Sequence, residues 1–325
     1  MKSKQLILQF LQKNGASSID LMATKMNFSR QYIHKLIDVL LEENKIEKIG
    51  SAPHVYYHLV EQATQHLPTS VIDPEKETFL KQHFLWIDAM GHLLTGVDAM
   101  RYWCTQQQLP LAKTIDEYIE TRSKYLRFYQ NNLIDGLPKL KGTKGIGDIG
   151  VDFLYYLDFY AIERFGKTKL GMLMHFAKQG QNKVLMKTIV EEIKNRVLYF
   201  IIQHQIDAVV FVPPTIKRQV QIMAYLEKHL SVPLPTVQVK KISNPIIIPQ
   251  KALSKLFERV ANAKKTFVVP DQPKFNHVLI IDDAIGSGAT INEIALKLKS
   301  KKIAKMISGL AITGSYKGFE VISEL

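Results

Sequence analysis

The chain has 325 residues, 46% hydrophobic and 22% charged, an ordinary globular composition with room for two or three domains. Its formal net charge of +13 favours polyanionic partners, nucleic acid or phosphorylated small molecules, without choosing between them. The single cysteine, Cys104, excludes an internal disulfide and a cysteine-rich zinc site. No apolar run approaches the roughly 20 residues of a spanning helix, and the amphipathic N-terminus MKSKQLILQFLQKNG is no cleavable signal, so a cytoplasmic protein is expected.

Leu6, Ile7, Phe10 and Leu11 recur at helical spacing, and Asn14-Gly15 ends that first helix. Ser17-Ser18 offers a cap for a second helix through Ile19, Leu21, Met22 and Met26, and Ser29 caps a third. The third helix places Ile33, Leu36, Ile37, Leu40 and Leu41 toward a core and Arg30, Gln31, His34 and Lys35 on the other side of its first turns. Those four side chains suit base edges and phosphates. Lys45 to Leu59 then alternates around Gly-Ser-Ala-Pro as a hairpin. Three helices and a hairpin resemble the winged helix-turn-helix domains of bacterial regulators, over residues 1–62. The resemblance implies that Arg30, Gln31, Tyr32, His34 and Lys35 face the major groove of double-stranded DNA, with His54 near the wing tip. A palindromic site would call for a homodimer.

Leu67 to Ser70 reads as a linker, followed by a helical middle segment to residue 150. Glu75 to His92 and Ile115 to Asn131 carry aromatic and aliphatic residues at helical spacing, expected to form core or interface rather than a base-stacking platform. DGLPKLKGTKGIGDIG, from Asp135 to Gly150, fits no P-loop or dinucleotide fingerprint and reads as a surface loop.

Residues 151–325 carry an α/β pattern. Lys169 to Lys178 and Val184 to Gln203 read as helices, and Asp207 to Val212 as a buried strand. That strand runs into Pro213-Pro214-Thr215-Ile216-Lys217-Arg218, which sets two cations at the mouth of the next helix. Val278 to Ile281 is an apolar run suited to a strand covered on both faces, and Asp282 and Asp283 fall where it ends. Gly286, Ser287, Gly288, Ala289 and Thr290 follow, small enough for their N–H groups to approach an anion at the start of the helix Ile291 to Lys299. One loop can thus hold ribose hydroxyls with carboxylates and a phosphate with amides. In open α/β sheets such loops gather outside the carboxyl ends of the strands, which brings the Lys217-Arg218 turn to the same edge.

Val278 to Thr290 resembles the phosphoribosyl pyrophosphate (PRPP) loop of type I phosphoribosyltransferases, a fold with a mainly parallel sheet. The resemblance implies that Asp282 and Asp283 bind the ribose hydroxyls, directly or through Mg2+, and that Gly286 to Thr290 hold the 5-phosphate. Lys217 and Arg218 are then candidates for the pyrophosphate end. Lys240-Lys241-Ile242, Gln250 to Ser254, Arg259, Asn262 and Phe267 precede that loop in an order similar to ComF-type competence proteins, although the zinc segment usual in those proteins is missing. Gly286 stands where 6-oxopurine salvage enzymes carry an acid, which points away from that substrate class.

The whole resembles purine-operon repressors, which join a winged helix to a phosphoribosyltransferase-like domain. The resemblance implies a transcription regulator whose effector is PRPP or a related nucleotide. Two further functions are compatible with the same residues: a working phosphoribosyltransferase that releases pyrophosphate, and a ComF-like accessory of DNA uptake or processing.

Overall fold

The computed structural model describes residues 2–43, 45–51, 53–60, 72–143, 145–214, 218–242 and 264–315. The chain divides into two compact units, Met1–Val71 and Ile72–Leu325.

In the first unit α1 (Lys2–Asn14), α2 (Ile19–Met26) and α3 (Arg30–Glu42) precede an antiparallel hairpin of β1 (Ile46–Ser51) and β2 (His54–Leu59). Both serine caps form: Ser18 accepts from the Leu21 N–H and Ser29 from the Tyr32 N–H. Asn27 ends α2 in the left-handed conformation, φ 57°, which an asparagine adopts at low cost. Ile7, Leu11, Met22, Ile33, Ile37, Leu40, Ile46 and Tyr57 make a separate core. Ser17, between α1 and α2, exchanges both backbone hydrogen bonds with Tyr57, so the hairpin is tied to the helices through the backbone.

The second unit is mixed α/β, with a six-stranded, mostly parallel sheet. It opens with α4 (Pro74–His83), the short hairpin β3 (Leu85–Ile87) and β4 (Leu93–Thr95), α5 (Gly96–Gln106) and α6 (Leu111–Leu126). A second hairpin, β5 (Tyr129–Gln130) and β6 (Leu133–Asp135), is followed by α7 (Leu137–Gly142) and β7 (Phe153–Phe159). Then come β8 (Ala161–Ile162), β9 (Gly166–Lys167), α8 (Lys169–Gln179), α9 (Lys183–Gln203), β10 (Ala208–Phe211) and α10 (Ile222–Leu230). The small pair β11 (Lys240–Lys241) and β12 (Phe267–Val268) precedes β13 (Phe275–Ile285), α11 (Ala289–Ser300) and β14 (Ala304–Gly314).

The sheet order is β10-β13-β14-β7-β6-β5, with the first four strands parallel and β6 and β5 antiparallel at one edge. Its two faces follow from the alternation of side chains along each strand. Ala208, Val210, Val278 and Ile280 join a core with Ile291, Ile294 and Leu298 of α11 and the aromatics of α5 and α6. Val209, Leu279, Ile281 and Leu310 join another with α8, α9 and α10. Helices therefore cover both faces, as the continuous apolar strands require.

Two elements of the middle segment differ from the sequence expectation. The helix expected over Glu75 to His92 stops at His83, because Leu85 and Ile87 are buried at period two and pair with β4 as a hairpin. The helix expected to reach Asn131 stops at Leu126, and Tyr129 to Asp135 joins the sheet instead. Residues 72–142 thus give two strands to the sheet of residues 153–314, and Leu80, Met100, Trp103, Ile115 and Tyr118 share one of its cores. Two packed layers around a common core make one unit, so no separation falls at residue 150.

A buried ion pair ties these helices to the sheet. Arg122 of α6 donates from both terminal nitrogens to Asp158 of β7, at 2.9 and 3.1 Å, and Tyr129 also donates to Asp158. Burial pulls the Arg122 pKa down, and the Asp158 charge overrides it, so the guanidinium stays charged. Arg122→Met would leave an uncompensated buried carboxylate and is expected to cost about 3–5 kcal/mol, with Asp158→Asn in that background recovering part of it. Urea denaturation of the single and double variants measures both, and a single-variant loss under about 1 kcal/mol would contradict the buried-pair account.

Candidate functional site

Parallel β10, β13, β14 and β7 end at one edge of the sheet, and the candidate residues collect there. β10 pairs with β13 only as far as Phe211 opposite Ile281, whereas β14 stays paired to Ile285. Asp282 and Asp283 therefore lie within the strand rather than after it, held by β14 on one side and beyond the end of β10 on the other. Consecutive strand residues point to opposite faces. Asp282 follows the parity of Val278 and Ile280, and Asp283 that of Leu279 and Ile281.

Cations stand beside both carboxylates. Asp283 forms an ion pair with Lys178, near the end of α8. Asp282 and Lys241 of β11 lie close enough to perturb one another, and Lys241 also sits 4.8 Å from the centre of the Phe267 ring. Arg218 donates to the Lys178 carbonyl and, at 3.1 Å, to the Gln179 side chain, which places its charge beside Lys178. Gly171 allows this arrangement, since a Cβ there would collide with the Tyr160 carbonyl and push α8 off the sheet edge.

The small-residue turn follows β13. Gly288 caps α11 with φ 77°, a conformation that favours glycine, and a Cβ on it would stand 2.9 Å from Leu140 Cδ1, which would have to shift. Beside Gly286 the space is open within 4 Å. Ser287 Oγ accepts from the Ala289 N–H at 3.4 Å, and Thr290 lies in the first turn of α11. The turn thereby leads into the dipole-positive end of a twelve-residue helix.

The glycine- and lysine-rich segment borders this turn rather than forming a detached loop. The Gly150 N–H donates to Asn292 Oδ1 at 2.7 Å and Asn292 Nδ2 donates to the Asp148 carbonyl at 2.9 Å, which fastens the segment to α11. Lys139 of α7 donates to the Ser315 carbonyl and, at 3.2 Å, to its Oγ, just past the end of β14. Burial lowers its pKa to about 8.

Of the residues singled out in the sequence, Asp282, Asp283, Arg218, Lys241 and the 286–290 turn come together at this edge, and Lys240 is exposed on β11. Lys217, Gln250, Arg259 and Asn262 lie outside the described residues. Lys178 and Lys139 were not singled out, since the pairing of Lys178 with Asp283 spans 105 residues and that of Lys139 with Ser315 spans 176. Among the described residues no three His, Cys, Asp or Glu side chains cluster as a metal site. With Asp282 and Asp283 on opposite faces, either carboxylate alone could give a hard oxygen ligand to a Mg2+ that completes its shell with ligand phosphates and water.

On the first unit, Arg30, Gln31, Tyr32, His34 and Lys35 are all exposed on the first turns of α3. Arg30 pairs with Asp20 of α2, and Tyr32 donates to or accepts from Ser3 Oγ at 3.0 Å while its ring packs edge-on to Phe28. Asp38 and Glu42 continue the exposed face further along, so its cationic character is confined to the start of the helix. His54 opens β2 opposite Ser51. Among the described residues no helix is long and apolar enough to cross a membrane. In comparisons with known proteins, no family model and no curated sequence matches the chain.

Burial, reinforced by the Asp283 charge, raises the Asp282 carboxyl from 3.8 to about 7, against the Asp283 N–H bond and the charges of Lys178 and Lys241. A raised pKa means that the folded chain holds a proton on Asp282 that the unfolded chain releases, so stability falls as pH rises between the two values. Asp282→Asn keeps an oxygen acceptor for the Asp283 N–H and removes the charge. The variant is expected to melt higher than the parent at about pH 8, with the difference closing toward about pH 4. Thermal denaturation against pH measures this, and a gap that widens on acidification would reverse the assignment.

Proposed function

We propose that the chain is a DNA-binding transcription regulator whose second unit binds PRPP or a related phosphorylated ribose as effector. The observation that carries it is the carboxylate pair Asp282/Asp283 at the carboxyl edge of a parallel sheet, next to the Gly288 turn and ringed by Lys178, Arg218 and Lys241. Carboxylates accept hydrogen bonds from vicinal ribose hydroxyls, turn amides from Gly286 to Thr290 hold the 5-phosphate, and the cations take the diphosphate. Mg2+ held by Asp282 or Asp283 together with ligand oxygens would neutralise part of the diphosphate charge. These residues support a reading as a type I phosphoribosyltransferase-like pocket.

The first unit supports a winged helix-turn-helix reading: Ser17 bridges to the hairpin, and α3 offers Gln31, His34 and Lys35 unburied, with Arg30 at its start. Contacts of this kind give phosphate-driven affinity that falls with salt. Effector and operator would then be linked, each changing affinity for the other by the same factor.

Calorimetry with PRPP and Mg2+ is expected to show binding that Asp282→Asn/Asp283→Asn removes. In a DNA-binding assay at fixed salt, saturating PRPP should shift the affinity for double-stranded DNA by about 5-fold or more. Pyrophosphate release with any nucleobase would instead make the pocket an enzyme, and a preference for single-stranded DNA would favour a ComF-like role. Independently, Arg30→Ala/Lys35→Ala should weaken DNA binding and lower the salt slope by about two; unchanged DNA binding would remove α3 from the interface.

A further inference from the structure

Lys178 is the cation closest to the carboxylate pair. It sits in the last turn of α8, its ammonium is directly on Asp283 Oδ2, and Asp282 also acts on it. The Asp283 side chain is only 16% exposed, which leaves little water to share the oxygen that Lys178 occupies. A divalent cation arriving alone has to displace this ammonium and overcome its repulsion, with Arg218 and Lys241 adding further positive charge nearby. A polyanion brings the opposite sign and gives the displaced ammonium a partner.

We propose that Lys178 is the built-in cation of this site: it fills the metal position on Asp283 until a diphosphate-bearing ligand draws it away, so that metal loads with the ligand and not before. The role rests on the phosphoribosyl reading for the nature of the ligand, but the exclusion of free metal does not. Lys178 is a single switch residue with two partners, Asp283 in the free protein and the diphosphate in the complex. Arg218, braced on the Lys178 carbonyl and on Gln179, fixes the end of α8 from which Lys178 reaches both.

The experiment uses the full chain and two probes, Mn2+ alone and PRPP with Mg2+. With Mn2+ followed by electron paramagnetic resonance, Lys178→Ala is expected to bind at least about tenfold more tightly than the parent, a gain worth about 1.4 kcal/mol. Lys178→Arg should behave as the parent, and Asp283→Asn added to Lys178→Ala should abolish the gain. With PRPP and Mg2+ followed by calorimetry, Lys178→Ala is expected to bind at least about tenfold more weakly, since one charge-assisted contact is lost. A lysine that only braced the fold would weaken both probes together. Equal Mn2+ affinity in the parent and in Lys178→Ala overturns the proposal, and Lys178→Gln repeats the measurement should the alanine variant melt early. If the parent fails to bind PRPP while the Mn2+ gain appears, the phosphoribosyl reading falls and the lysine's occupation of the metal position stands.

Discussion

The unequal length of two backbone ladders governs the chemistry of this protein. β13 is paired by both neighbours up to Ile281 and by β14 alone from Asp282 to Ile285. The Val212 N–H makes the last bond from the β10 side, to the Ile281 carbonyl at 3.0 Å. A strand paired on both sides presents carboxylates that a ligand reaches only from above and below. One released on one side keeps its direction, and the released side opens toward the crevice. The Thr313 hydroxyl donates to the Asp283 carbonyl at 3.3 Å and the Ser315 N–H to the Ile285 carbonyl at 3.2 Å, so the released segment is held straight from the β14 side. The small-residue turn and the start of α11 are placed by that extension.

The same strand geometry sets the electrostatics. Two adjacent acids on a flexible loop could turn to water together; on a strand they are sent to opposite faces of the sheet, each under a different layer of helices or strands. Lys178 of α8 pairs with Asp283 and also acts on Asp282, more strongly than Lys241 of β11 does. Such a pair costs desolvation that its mutual attraction only partly offsets. Asp282 shows the cost most plainly, because burial raises its proton affinity in spite of both lysines.

Local features of this fold could be read in the sequence and distant ones could not. Ser18 and Ser29 were visible as caps because a cap is satisfied within three residues, and the Asp282–Thr290 turn was visible because strand, acids, glycines and helix are contiguous. The β3–β4 hairpin was hidden: its strands are three residues long, and Phe84 to Ile87 continue the apolar pattern of α4 without a break. Period two cannot be told from period 3.6 over so short a run. Nothing in the amphipathic pattern of α6 singles out Arg122, and only its partner 36 residues away, on β7, explains its burial. Lys178, like Lys139, escapes notice for the same reason: its partner is distant in sequence, and it lies at the end of a helix whose pattern is accounted for by packing.

Charge balance narrows what the crevice accepts. Lys178 pairs with Asp283, Lys178 and Lys241 both act on Asp282, Arg218 stands beside Lys178, and burial raises the Asp282 carboxyl to about 7. Near neutrality the edge therefore carries more positive than negative charge before the amides at the start of α11 are added, and Lys139, buried beside Ser315, increases the excess. A neutral sugar or a base offers nothing to offset this, and a monophosphate occupying the Gly288 turn leaves the Lys178, Arg218 and Lys241 side uncompensated. On the proposed phosphoribosyl reading, the turn amides, the carboxylates and the cations would meet the 5-phosphate, the hydroxyls and the diphosphate of a phosphorylated ribose. The turn is held by the backbone of β13 and α11 and Lys178 by the end of α8, so on that reading the spacing of charge on the ligand would count as well as its total.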